Sequence, residues 1–276
     1  MIIEIKNIKK KYKKGFNVIN ALDDVSFSVE EGKIVGILGG NGAGKTTLLK
    51  IITGITNPYS GSVEIIGETD VNLVKKQIGF LPENPTFFKN ITAFELLQLS
   101  LTLVGIYSDD KIEQALNRVE LIKNKNEKVK TFSKGMMQRL GIAQAIIHLP
   151  KILILDEPMS GLDPIGRKMV KDMILEYRKS GKTVLFSTHN LDDIETLCDE
   201  VIMIKEGRVV LNKNISSLRS SNSYRFEIVK NNVRDMFLIK GKEKFWEFLK
   251  NIKDENQEII SIKSDLSSEL EQYYEK

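Results

Sequence analysis

Residues Gly39-Gly40-Asn41-Gly42-Ala43-Gly44-Lys45-Thr46-Thr47 follow the order G-x-x-x-x-G-K-[ST]. That order suits one task, the wrapping of phosphate oxygens in backbone N–H groups. Glycine belongs where a side chain would intrude on the anion or where the chain needs positive φ. Lys45 is expected to reach β- and γ-phosphates as a point charge, and the Thr46 hydroxyl to complete the shell of a magnesium ion.

A second group of chemically capable residues lies downstream. Lys151-Ile152-Leu153-Ile154-Leu155-Asp156-Glu157-Pro158 carries four apolar residues and then two carboxylates. Such a run reads as a strand buried on both faces of a parallel sheet, and its carboxyl end is where α/β sheets bind ligands. Thr183-Val184-Leu185-Phe186 repeats the pattern and ends at Ser187-Thr188-His189.

These groups need a frame. Ile34-Val35-Gly36-Ile37-Leu38 reads as the strand before the loop, and Thr47-Leu48-Leu49-Lys50-Ile51-Ile52 as a helix whose N-terminus faces the anion and which stops near Thr53-Gly54. Asp163-Pro164 has the form of an N-cap followed by proline at the first helical position, and Ser133 is a natural N-cap for the helical run after it. Val201-Ile202-Met203-Ile204 gives a further buried strand. The strand-helix alternation predicts an α/β fold with a largely parallel sheet covered by helices. Shorter strands are expected over residues 2–8, 25–29 and 61–66, and helical spacing runs through residues 92–118, within an insertion of about 84–148.

Bulk composition narrows the class. The chain has 276 residues, 41% hydrophobic and 28% charged, and its 41 basic residues nearly balance 37 acidic ones for a net +4. Nothing in that balance calls for nucleic acid, and the Lys9-Lys10-Lys11-Tyr12-Lys13-Lys14 run reads as a solvated face. Cys198 is the single cysteine, so an intrachain disulfide is excluded and a reducing compartment is expected. The N-terminus lacks the apolar core of a signal peptide, and no stretch reaches the ~20 apolar residues that span a bilayer. After about residue 215 the composition shifts toward Ser, Asn and Lys, with strand-like runs at 224–229, 236–240 and 258–263 and a helix-like 242–252 containing Trp246. This reads as a small α/β appendix, so the chain divides into residues 1–214 and 215–276.

Taken in order, the phosphate loop, Ser133-Lys134-Gly135-Met136, Leu155-Asp156-Glu157, Ser160-Gly161-Leu162-Asp163 and His189 resemble the ATP-binding subunits of ABC transporters over about residues 2–212. The resemblance implies a P-loop NTPase fold with an antiparallel β subdomain and a helical subdomain, and ATP with Mg2+ as ligands. It implies that Asp156 holds the metal, that Glu157 is the general base and that His189 orients the attacking water. Tyr12 matches the ring that stacks on adenine, and Gly39, Asn41, Gly42, Ala43, Gly44, Lys45, Thr46 and Thr47 surround the phosphates. Ser133 and Gly135 would donate to the γ-phosphate bound in a second copy, with Asp163 linking the two sites. The partners so implied are a second ATP-binding subunit and integral membrane permease subunits, which places the chain on the cytoplasmic face of the membrane.

Two spellings depart from the common pattern. Lys134 and Met136 stand where Gly and Gln are usual, and Glu83 replaces the usual glutamine, where it can still offer an oxygen to magnesium. With Asp163-Pro164-Ile165-Gly166-Arg167 and the appendix, these look like ABC-2 type exporters. The alternative is a soluble ABC ATPase serving a non-transport assembly system.

Overall fold

The computed structural model describes residues 1–15, 17–219, 223–230, 233–240 and 258–264. Its centre is a six-stranded sheet built from β3 (Ile34–Leu38), β5 (Ile78–Leu81), β6 (Ile152–Leu155), β7 (Thr183–Thr188), β8 (Glu200–Lys205) and β9 (Arg208–Asn214), in the order β5-β6-β7-β3-β8-β9. All neighbours pair parallel except β8 and β9. The register sets Leu38 beside Thr188 and Leu155 beside Phe186. The carboxyl ends of β3, β6 and β7 therefore meet at one edge of the sheet, and the phosphate loop, Asp156 and His189 arrive there together.

The continuous apolar runs are explained by burial on both faces. Leu153, Leu155, Val184 and Phe186 join a core with the helices on one side, while Ile152, Ile154 and Leu185 join a core with the N-terminal strands on the other. Gly36 interrupts its strand for a packing reason: a Cβ there would sit 2.3 Å from Cδ1 of Ile194, on α7 (Leu191–Leu197). Of the remaining helices, α1 (Lys45–Ile52) follows the phosphate loop and α6 (Pro164–Lys179) precedes β7. The short α2 (Val71–Val74) is capped by Asp70.

A second, antiparallel sheet runs β2-β1-β4, from β1 (Ile3–Lys14), β2 (Asn17–Val29) and β4 (Ser60–Ile65). Here β1 continues through the lysine run, past residue 8 where the sequence pattern ends. Register shifts between Ile5 and Ile8, Ile8 and Lys10, and Lys10 and Lys11 explain the difference. Each shift breaks the period-two alternation by which a strand is recognised.

The insertion between β5 and β6 holds α3 (Ala93–Leu103), α4 (Asp109–Arg118) and α5 (Lys134–Ile146). Residues 92–118 form two helices rather than one run of helical spacing. The chain turns at Gly105, with φ 82, and restarts at Ser108, whose side chain caps α4. A capping box of Thr92 and Glu95 opens α3.

The main core continues beyond residue 214. Ile215 and Leu218 of α8 (Ile215–Arg219) are buried in it, and Ile215 N–H donates to the Asp199 carbonyl at 2.8 Å. Downstream, β10 (Ser223–Lys230), β11 (Val233–Lys240) and β12 (Glu258–Ser264) form an antiparallel sheet in the order β11-β10-β12, matching the three expected strands. The helix expected over 242–252 and Trp246 lie outside the described residues. Among the described residues, no helix is long and apolar enough to cross a membrane.

Candidate functional site

The loop from β3 to α1 is held by close backbone contact. A Cβ on Gly39 would lie 2.4 Å from the Ile204 carbonyl, and one on Gly44 would lie 2.6 Å from the Ala21 carbonyl. Gly44 also has φ 110 and serves as the N-cap of α1. At Gly40 and Gly42 a Cβ would meet nothing within 4 Å. α1 has no side-chain cap and no acidic residue in its first turn, so its leading N–H groups and positive dipole end are left for an anion.

Lys45 is buried, and its ammonium donates to the carbonyls of Gly39 at 2.7 Å and Gly40 at 3.2 Å. It also lies 3.3 Å from Oε1 of Glu157. Oε2 of that glutamate is 3.0 Å from Nδ1 of His189, whose ring is exposed. A cleft of about 500 Å³ joins these groups, walled by residues 40–47, Glu83, Glu157, Ser160, His189 and the β2 segment Ile19-Asn20-Ala21.

Asp156 stands behind this wall, fully buried. Its N–H donates to the Leu81 carbonyl at 2.8 Å, and its Oδ1 accepts from the Ser187 hydroxyl at 2.6 Å, whereas Oδ2 has no protein partner. A buried carboxylate oxygen without a donor or cation is costly. Carboxylate and hydroxyl oxygens are the donor set of a hard divalent cation, and Asp156, with Thr46 and Glu83 on the cleft wall, supplies that set. The residues present fit magnesium.

Glu157 has φ 47, which places a non-glycine residue in the left-handed region. Its backbone is held on both sides. The Ser187 hydroxyl accepts its N–H at 2.9 Å, and Nε2 of the buried Gln138 approaches the Glu157 and Pro158 carbonyls at 3.4 and 3.2 Å.

Other residues singled out by sequence lie elsewhere. Ser133 caps α5 by accepting the Met136 N–H at 3.2 Å, and Gly135 packs toward Gly161, so neither lines the cleft of its own chain. Asp163 accepts the Gly166 N–H at 3.0 Å and caps α6. Tyr12 is outside the cleft wall, with Lys10 Nζ 5.3 Å from its ring centre, while its cross-strand partner Ile19 lines the wall. Sequence reasoning missed Ser187, Gln138 and the β2 segment. Ser187 was visible only as a strand-end residue before His189, and no spacing rule ties either polar side chain to residues 20 or 30 positions away.

Comparison with known proteins agrees with this geometry. The family described as ABC transporter matches residues 22–160. The uncharacterized ABC transporter ATP-binding protein YdbJ of Bacillus subtilis is 45% identical over 192 residues, covering 68% of this chain and 62% of its own length. The lantibiotic transport ATP-binding protein SrtF of Streptococcus pyogenes is 38% identical over 212 residues, covering 77% of this chain and 90% of its own length. Among solved structures, the dimeric ATP-binding cassette MJ0796 in a post-hydrolysis state bound to ADP and Pi superposes with a TM-score of 0.72 at 28% identity, covering 77% of this chain and 98% of that one. With its phosphate loop, carboxylate pair and cassette fold in place, the chain belongs to the ABC transporter family as an ATP-binding protein.

Proposed function

We propose that the chain binds and hydrolyses ATP with Mg2+, dimerises on ATP, and drives a separate membrane permease from the cytoplasmic face as part of an ABC-2 type exporter. The observation that carries the reading is the convergence of the phosphate loop, Glu157 and His189 on one cleft, with the unpartnered Oδ2 of Asp156 behind it.

Backbone N–H groups of residues 42–46 and the Lys45 ammonium hold the phosphates. Thr46 and Asp156, with Glu83, would hold magnesium, which when bound neutralises charge on the β- and γ-phosphates. Glu157 accepts a proton from water as the water oxygen attacks the γ-phosphorus; the bond to the bridging oxygen breaks, and ADP and phosphate leave. His189, hydrogen-bonded to Glu157, would contact the γ-phosphate and orient the attacking water. Ser133 and Gly135 lie outside the cleft of their own chain at the N-terminus of α5, where they suit an anion presented by a second copy. Dimerisation of this chain is supported by the dimeric cassette that it resembles, and export by the lantibiotic transport relative, by Glu83 and by the C-terminal sheet.

Phosphate release from ATP, measured with Mg2+ and then with EDTA, tests the reaction. Metal-dependent release is expected, and none in Mg2+ would overturn it. Affinity capture from membranes tests the coupling: a multi-span permease should co-purify, and recovery of a soluble assembly partner instead would favour the non-transport alternative.

A further inference from the structure

Ser187 lies near the carboxyl end of β7, fully buried, with a hydroxyl that serves both carboxylate residues at once. Its direction of donation is determined by the partners. The Glu157 N–H at 2.9 Å can only donate, so the Ser187 proton goes to Oδ1 of Asp156 at 2.6 Å.

One oxygen of Asp156 is thereby occupied and the plane of the carboxylate is fixed, which leaves Oδ2 buried and unpartnered. The same hydroxyl holds the amide of Glu157, whose φ of 47 is a conformation that non-glycine residues keep only when their surroundings over-determine it. Asp156 and Glu157 are adjacent in sequence but face different tasks, and a single oxygen on the neighbouring strand orients both.

We propose that Ser187 is a positioning residue that assigns Oδ2 of Asp156 to the metal ion and holds Glu157 in its left-handed conformation. This rests on the magnesium-assisted reading above and adds to it a residue that touches neither the metal nor the nucleotide. Loss of the hydroxyl lets the Asp156 carboxylate rotate and weakens metal binding, while the phosphate loop is untouched.

The test measures binding rather than turnover. Mn2+ serves as the probe, with free Mn2+ followed by electron paramagnetic resonance in the presence of ADP and the full chain. Ser187→Ala should lower the Mn2+ affinity of the ADP complex about tenfold, the smaller end of the range for residues that orient metal ligands. ADP affinity in EDTA should be unchanged. Ser187→Thr, which keeps the hydroxyl, should restore Mn2+ binding. If Ser187→Ala does not fold, Ser187→Cys fills the site with a weaker donor and should show the same loss in smaller measure. Wild-type Mn2+ affinity in Ser187→Ala, or in Ser187→Cys where that is the variant measured, overturns the assignment, and so does an equal loss of ADP affinity in EDTA. If the wild-type chain binds Mn2+ no better with ADP than without it, the magnesium reading itself fails, which is a separate result.

Discussion

Nζ of Lys45 stands 3.3 Å from Oε1 of Glu157, so a cation and a carboxylate neutralise each other across the cleft. Both side chains are largely buried, which makes the pair more than a surface contact. On the function proposed above, phosphate oxygens entering the loop would compete for Lys45 and free Oε1 of Glu157, while Oε2 keeps its contact with His189. On that reading ATP binding is coupled to the readiness of the base through one ammonium group.

Glu157→Gln separates the two roles. The amide keeps the shape and can still contact Lys45 through its oxygen, but it cannot take a proton. ATP binding, followed with a fluorescent analogue, is expected to persist, and phosphate release is expected to fall at least about a hundredfold. Near-normal release would remove Glu157 from the role of base.

The loop glycines divide into two kinds, and substitution tells them apart. Gly44→Ala meets both a φ of 110 and the Ala21 carbonyl at 2.6 Å. It should cost about 1–3 kcal/mol of stability and abolish nucleotide binding. Gly40→Ala meets nothing within 4 Å. It should unfold at the wild-type denaturant midpoint, with any loss confined to ATP affinity. A lowered midpoint for Gly40→Ala would show that this contrast misplaces the tight side of the loop.

Much of this site was legible because its residues are local to one another in sequence. Lys45 and Thr46 follow their loop directly, Asp156 and Glu157 follow an unbroken apolar run, and Ser133 and Asp163 precede helices that they do cap. The core strands were legible for the same reason, since burial on both faces leaves nothing but apolar residues. What could not be read depends on contacts across the fold. Ile19 enters the cleft wall through its pairing with Tyr12, within a hairpin whose bulges hide its period, and Ser187 finds Asp156 only because β6 and β7 are neighbours. Glycine at 36 is likewise set by a helix 158 residues onward, at Ile194.

Gln138 is a second hidden support. Its side chain is buried on α5, the helix that begins with Ser133, and its Nε2 donates to the Pro158 carbonyl at 3.2 Å. Gln138→Leu fills similar space and leaves that carbonyl without its donor. The urea midpoint should fall by an amount equivalent to about 1–3 kcal/mol. Because Glu157 loses the hold on its carbonyl side, kcat should drop more than ATP affinity. An unchanged midpoint would mean that the carbonyl finds another donor.

His148 gives the fold a pH dependence. Burial holds its imidazole below the usual 6.5, only partly offset by the Ile78 carbonyl 3.2 Å from Nε2, with Lys182 lowering it further. The unfolded chain therefore takes up the proton first as pH falls. The stability contributed by neutral His148 is complete above about 6.5 and is lost as pH falls through the lower, folded value. His148→Gln, which can still donate to the carbonyl, should flatten the dependence of the urea midpoint between about pH 7 and pH 5. An identical slope in both proteins would assign the acid sensitivity to other groups.

Shared pockets are the last and most consequential expectation, because Ser133 and Gly135 do not line the cleft that holds Lys45. If each pocket takes Lys45 from one copy and Ser133 from its twin, a Lys45→Ala chain and a Ser133→Arg chain are each inactive alone. Mixed in equal amounts, half of the dimers combine the two. In each such dimer one pocket carries both lesions and the other carries none. Independent pockets would then restore roughly a quarter of wild-type phosphate release, an outcome that a two-fold arrangement of identical surfaces requires. Partial coupling of the two pockets would lower that figure without abolishing it. No recovery at any mixing ratio, together with full activity at dilutions where only monomer exists, would place the whole reaction within one chain.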